Sequence, residues 1–174
     1  MLITSGFPRS GSTYLNQALN LLYYPEQEVN WNRHTVIAIE KANRIMVTFR
    51  NPLDAIASWH KYPSMGTLEA DIQFYIRFYS SVLKKLKKVV LMDFDYFTKD
   101  IEYVKERILT NFSLESTNDV TDDEIKKIMI ENNKKINLPQ NNKEELDIVK
   151  KKLTTIEEFQ RCIELFNELK LKTT

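Results

Sequence analysis

The sequence predicts an α/β protein with three layers, a parallel sheet flanked by helices, and a helical C-terminal part. Three observations carry this. Met1–Ser5, Arg44–Arg50 (RIMVTFR) and Val89–Phe94 (VVLMDF) are short apolar or β-branched runs that read as buried strands. The stretches between them place apolar residues at helical spacing. Strands that alternate with helices pair in parallel, because a parallel connection needs a crossover long enough to hold a helix. A chain of 174 residues suits a single domain over 1–174.

Each element has a local reason. Met1–Ser5 runs straight into Gly6-Phe7-Pro8, a strand entering a turn. Ser12 or Thr13 opens a helix through Leu22, with Tyr14, Leu15, Ala18, Leu19 and Leu22 on one face and Pro25 as its stop. Glu28–Arg33 reads as a short strand and Val36–Ala42 as a short helix. Asn51-Pro52 ends the Arg44–Arg50 strand, and Pro52 is favourable at the first position of the next helix. The spacing predicts the longest helix over Thr67–Lys88, with Leu68, Ile72, Phe74, Phe78, Val82 and Leu86 facing the core. Its Lys84–Lys88 end complements the helix dipole. Ile101–Phe112 is a further helix, and Thr121 with Glu124 three residues later forms a capping box. Asn137–Asn142 reads as a turn, and Glu144–Lys170 as one or two more helices.

Composition excludes several classes. The formal net charge of +1 gives no strong field for nucleic acid or an anionic membrane. Cys162 is the one cysteine, so neither an intrachain disulfide nor a multi-cysteine metal site can form. No apolar run approaches the ~20 residues of a membrane span, and the N-terminus lacks the pattern of a signal peptide, so the expected location is cytoplasmic. Glycine is scarce: three in the chain, against roughly 7% in an average protein. Two of them, Gly6 and Gly11, fall in one loop.

That loop, Ile3–Leu15, is strand, glycine-bearing turn, then helix. Free backbone N–H groups and the positive helix end suit an anion there, and glycine lets backbone come close to it. A Walker loop requires Gly-x-x-x-x-Gly-Lys-Ser/Thr. Gly6 and Gly11 have its separation, but Ser12 stands where lysine belongs, and the cation is Arg9.

Pro8-Arg9-Ser10-Gly11-Ser12-Thr13-Tyr14 resembles the phosphosulfate loop of the PAPS-dependent sulfotransferases, PAPS being adenosine 3′-phosphate 5′-phosphosulfate. Val47–His60 (VTFRNPLDAIASWH) is similar to that family's 3′-phosphate segment, with the same spacing between Arg50 and Ser58. Val89–Phe97 resembles its strand ending in Tyr-Glu-Asp-Leu, Phe94 taking the tyrosine's place. The resemblance implies a P-loop NTPase-like fold and transfer of a sulfuryl group from PAPS to an acceptor hydroxyl or amine, leaving adenosine 3′,5′-bisphosphate, without a metal. It implies that Arg9 and the N–H groups of Ser10 to Thr13, Gly11 among them, stabilise charge on the bridging oxygen. Ser12 and Thr13 hydroxyls would hold the 5′-phosphate, and Arg50 with Ser58 the 3′-phosphate.

Alternatives stand beside these roles. Tyr14 is either a ring against adenine or core, and Phe94 keeps a ring for stacking. Arg50 either clasps phosphate or pairs with Asp54. Ser58 is otherwise a small helix residue. The catalytic base implied by the resemblance is His34, with Glu40 and Glu28 in reserve; His60 reads as structural. The family's late Arg-Lys-Gly loop is missing, and Lys134 and Lys135 either substitute for it or form a solvated face. Tyr23, Tyr24, Trp31, Trp59, Tyr62 and Phe74 either line an acceptor pocket or belong to the core. Two other functions fit the same residues: a P-loop phosphotransferase using ATP and magnesium, and a non-catalytic nucleotide-binding protein.

Overall fold

The computed structural model describes residues 2–24, 28–31, 34, 44–61, 66–136 and 143–173. Its sheet holds four parallel strands: β1 (Leu2–Gly6), β2 (Val29–Trp31), β3 (Ile45–Phe49) and β4 (Val89–Asp93), in the order β2-β1-β3-β4. Eight helices accompany them among the described residues: α1 (Ser12–Tyr23), α2 (Pro52–His60), α3 (Leu68–Leu83), α4 (Phe94–Phe97), α5 (Ile101–Phe112), α6 (Asp122–Ile136), α7 (Lys143–Leu153) and α8 (Phe159–Leu171). The α/β class and the all-parallel sheet thus agree with the sequence reading. The expected Val36–Ala42 helix and Asn137–Asn142 turn lie outside the described residues.

Strand alternation divides the core in two. Ile45, Val47, Phe49 and Leu91 face one side, where α2, α3, α7 and α8 bury Ile56, Ile72, Phe78, Leu153, Cys162 and Phe166. Met46, Val90 and Met92 face the other, against Leu15, Leu19 and Leu22 of α1, Val104 and Ile108 of α5 and Ile125 of α6. Both faces are covered, which explains why β3 is apolar at almost every position rather than alternating.

The punctuation of the sequence is visible. Asn51 Oδ1 accepts the Leu53 N–H at 2.9 Å, and Pro52 begins α2. Thr121 and Glu124 exchange capping hydrogen bonds at the start of α6. The last carbonyls of α1 are satisfied from a distance: Thr117 N–H donates to Leu22 O at 3.0 Å and Asn118 Nδ2 to Leu21 O at 2.7 Å.

Three expectations need correction. The long helix stops at Leu83 rather than Lys88. Lys84 ends it, and a short 3₁₀ turn over Leu86–Lys88 leads into β4, so the lysine run is a connection and not a helix end. The last strand closes at Asp93, because its Oδ1 accepts the Asp95 N–H at 3.0 Å and starts α4; Phe94 is a helix residue. Lys134 and Lys135, read from sequence as loop-like, fall within α6.

Candidate functional site

Parallel strands all end on one edge of the sheet. From β1 the chain passes through α1 to β2 on one side, while β3 lies on the other. The β1/β3 boundary is therefore a topological switch point, where connections diverge and leave a crevice. Loop 7–11 leaves β1 there, and Arg50 leaves β3 beside it.

The loop is locked from within. Phe7 is buried against Phe74 and Tyr75, with ring centroids 5.1 Å away in each case. Ser10 N–H donates to Phe7 O at 3.1 Å, its hydroxyl donates to the same carbonyl at 2.5 Å, and that hydroxyl lies 2.9 Å from Thr48 Oγ1. Ser10 is fully buried, so it shapes the loop through groups already engaged within the protein. Ser12 and Thr13 open α1, where N–H groups have no intrahelical acceptor, and no side chain caps them. Ser12 is buried and Thr13 exposed.

The two glycines answer to the protein's own packing. A Cβ on Gly6 would lie 2.1 Å from Thr48 Oγ1 and 2.7 Å from Ser10 Oγ. Gly11 has φ 89°, and its Cβ would lie 2.7 Å from Phe97 Cζ and 2.8 Å from Phe94 Cδ2. The sequence reading gave ligand approach as the reason for Gly11; the structure gives left-handed backbone and contact with two rings.

Two arginines meet above this frame. Arg9 is held at φ 66°, a conformation uncommon for a residue with a side chain. Its Nε donates to Ser58 Oγ at 3.0 Å, and Arg50 Nη1 donates to Arg9 O at 3.3 Å. Arg50 also lies over the Phe94 ring, 4.3 Å from its centroid, so Phe94 is wedged between Arg50 and Gly11. The residues expected at positions 9, 50, 58 and 94 thus come together across three separate segments.

Arg50 is half-buried and has no carboxylate within ion-pair distance among the described residues. Asp54, the alternative partner expected for Arg50, pairs with Lys150 at 2.5 Å instead. Burial draws the Arg50 pKa below the ordinary arginine range; Asp54 and Asp95 oppose this, and the like charge of Arg9 adds to it. The guanidinium stays charged, since arginine does not lose its proton in proteins. Two neighbouring cations held against their own repulsion suit a ligand with negative charge.

His34 completes the group. Its Nδ1 lies 2.7 Å from Gly6 O, the last carbonyl of β1. A carbonyl only accepts, so Nδ1 carries the proton and Nε2 carries the lone pair of the neutral ring. Burial lowers the His34 pKa, with the Gly6 carbonyl opposing, which favours that neutral form. Its ring centroid is 6.4 Å from that of Trp59, the neighbour of Ser58.

Other expected residues lie elsewhere. Glu28 is exposed beside the start of β1, where its carbonyl accepts the Leu2 N–H; that edge is about 13 Å from the loop at ordinary strand rise. Glu40 lies outside the described residues. Tyr14 packs in the core, 5.9 Å from Phe97, and burial, with Asp122 adding, raises its hydroxyl pKa to about 12. Tyr23 is likewise core, on the α1 face of the sheet; Phe74 and Trp59 are partly buried against the core of the opposite face, and Tyr24 is exposed. His60 binds the buried Asp71 carboxylate at 2.7 Å and ties α2 to α3.

Sequence reasoning missed Tyr75 and Tyr79. The Tyr75 hydroxyl donates to Arg50 O at 3.1 Å and that of Tyr79 to Thr48 O at 2.9 Å, so α3 holds the end of β3 in place. Their i, i+4 spacing in line with Ile72 was the available signal.

Among the described residues, no group of three or more His, Cys, Asp or Glu could hold a metal ion. No described helix is long and apolar enough to cross a membrane. No family model, no curated protein and no solved structure matches the chain.

Proposed function

We propose that the chain is a sulfotransferase of the PAPS-dependent kind, with a P-loop-like phosphate site at the β1/β3 crevice. The observation that carries this is the convergence of Arg9, Arg50 and Ser58 beside the uncapped start of α1. The residues fit an anionic nucleotide: Arg50 keeps a half-buried charge with no carboxylate on it among the described residues, and Phe94 offers a ring next to that charge. Arg50 and Ser58 would hold the 3′-phosphate, and Arg9 with the Ser12 and Thr13 amides the 5′ end.

Bound PAPS would supply a sulfuryl group activated by a phosphate leaving group. Arg9 then stabilises the charge that develops on the departing oxygen as its bond to sulfur breaks. His34 Nε2 takes the proton of the acceptor hydroxyl or amine as the new bond to sulfur forms. Its tautomer is fixed by the Gly6 carbonyl, so the ring is set for that role before an acceptor arrives.

Label transfer from PAPS carrying radioactive sulfur to a library of phenols, alcohols and amines tests the reaction. Transfer is expected, and its loss in His34→Ala with nucleotide binding retained. Nucleotide binding without transfer to any acceptor would instead support the non-catalytic reading. Magnesium-dependent ATP turnover would support the phosphotransferase.

A further inference from the structure

A cavity of about 540 Å³ opens between the end of β4, α4, α5 and the end of α8. This volume falls within the range of small-molecule sites. Asp93, Tyr96, Tyr103, Asn167, Lys170 and Leu171 are among the residues that line it. Tyr96 and Tyr103 form one wall, stacked with centroids 5.6 Å apart and planes at 29°.

Its base is a carboxylate with little access to water. Asp93 is 1% exposed, and its Oδ2 pairs with Lys170 Nζ at 2.9 Å. The same ammonium is 3.6 Å from Asp95 Oδ2, 5.6 Å from the Tyr96 ring centroid and 5.4 Å from that of Phe166. Two carboxylates and two rings around one ammonium are the elements of an organic-cation site. Burial opposes the charge on Lys170, but Asp93 and Asp95 outweigh it and raise its pKa. Lys170 comes from the last turn of α8 and is 36% exposed, so its flexible stem can leave for water.

We propose that this cavity binds a small aryl- or alkylamine, whose ammonium takes the place of Lys170 on Asp93 and whose apolar body lies along Tyr96 and Tyr103. Lys170 is then an internal occupant that a ligand displaces. The proposal is independent of the nucleotide site, since no residue of that site lines the cavity.

The test uses phenethylamine as probe and 2-phenylethanol as its neutral counterpart, by calorimetry and thermal shift without nucleotide. Saturable binding of the amine is expected, with the alcohol at least about tenfold weaker. Lys170→Met removes the competing ammonium and leaves Asp93 unmatched, so it should lower Tm, and the amine should bind about tenfold tighter and restore Tm. Tyr96→Ala, an exposed position that does not threaten folding, should weaken the amine about fivefold or more. Absence of saturable binding to both wild type and Lys170→Met up to about 10 mM overturns the proposal. Equal affinity for the alcohol, or an unchanged affinity in Tyr96→Ala, also overturns it. Should Lys170→Met not fold, the wild-type comparison and Tyr96→Ala decide alone.

Discussion

Gly6→Ala probes the loop more sharply than any charged substitution, because its consequence follows from two distances. The new Cβ would lie 2.1 Å from Thr48 Oγ1 and 3.0 Å from Thr48 O. The first is more than about 1 Å short of ordinary contact. Thr48 cannot simply rotate aside: it is fully buried, and its hydroxyl sits 2.9 Å from Ser10 Oγ and 3.3 Å from Ser5 O. Relief therefore costs strain of about 1–3 kcal/mol from overpacking, plus about 0.5–1.5 kcal/mol for the broken hydrogen bond. Restricting the unfolded chain offsets about 0.5–1 kcal/mol. The terms sum to a net loss of about 0.5–4 kcal/mol, centred near about 2 kcal/mol, which is roughly 4–8 °C in Tm for a chain of this size. Thr48→Ala alone should cost about 1–2 kcal/mol through its hydrogen bonds. Since Thr48→Ala also removes the obstructing oxygen, the double variant should be more stable than the sum of the singles by at least about 1 kcal/mol. Urea unfolding of the four proteins reads the cycle. Additivity within about 0.5 kcal/mol, or a Gly6→Ala variant as stable as wild type, would refute the packing account of this glycine.

Two further outcomes follow from buried polar groups. His34 has a lowered pKa when folded, so the unfolded chain binds its proton more readily; stability should be full above pH ~6.5 and decline as pH falls through the folded pKa. Unfolding free energies between about pH 5 and 8 should show this slope in wild type, and His34→Gln should flatten it. Tyr79→Phe should cost about 1 kcal/mol, since Thr48 O loses its 2.9 Å donor, the Ser10 Oγ contact being longer at 3.3 Å; equal stability in thermal unfolding would contradict that hydrogen bond.

The order of strands and helices was legible because each boundary is written in local chemistry. Asn51-Pro52 both ends β3 and caps α2, and β3 is apolar on both faces because both are covered. The end of α3 was not legible. Lys84–Lys88 has good helix propensity, but the chain must reverse there to enter β4, a tertiary demand that local pattern does not carry. At the site, the loop cation, the strand-end arginine and the helix serine were readable as separate motifs. Their meeting was not, because Arg9 reaches Ser58 across 49 residues of chain. Ser10 illustrates the opposite failure: its N–H reads as one of the loop's anion donors, yet it donates to Phe7 O, and its hydroxyl is turned inward to Phe7 O and Thr48. The spacing of Tyr75 and Tyr79 marks one helix face, but their support of the end of β3 was not legible, because a buried tyrosine differs from a core phenylalanine only in its hydroxyl, and sequence does not show that these reach Arg50 O and Thr48 O.

Calorimetric titration with adenosine 3′,5′-bisphosphate tests the central reading most directly. Wild type should bind without added metal. Arg9→Ala and Arg50→Ala should each weaken binding by about 10–100-fold, the range expected for charge-assisted hydrogen bonds. Arg50→Ala should do so without loss of fold, because Tyr75 holds the backbone carbonyl of residue 50 and not its side chain. No detectable binding to wild type, or binding unchanged in both variants, would contradict a nucleotide site at the β1/β3 crevice.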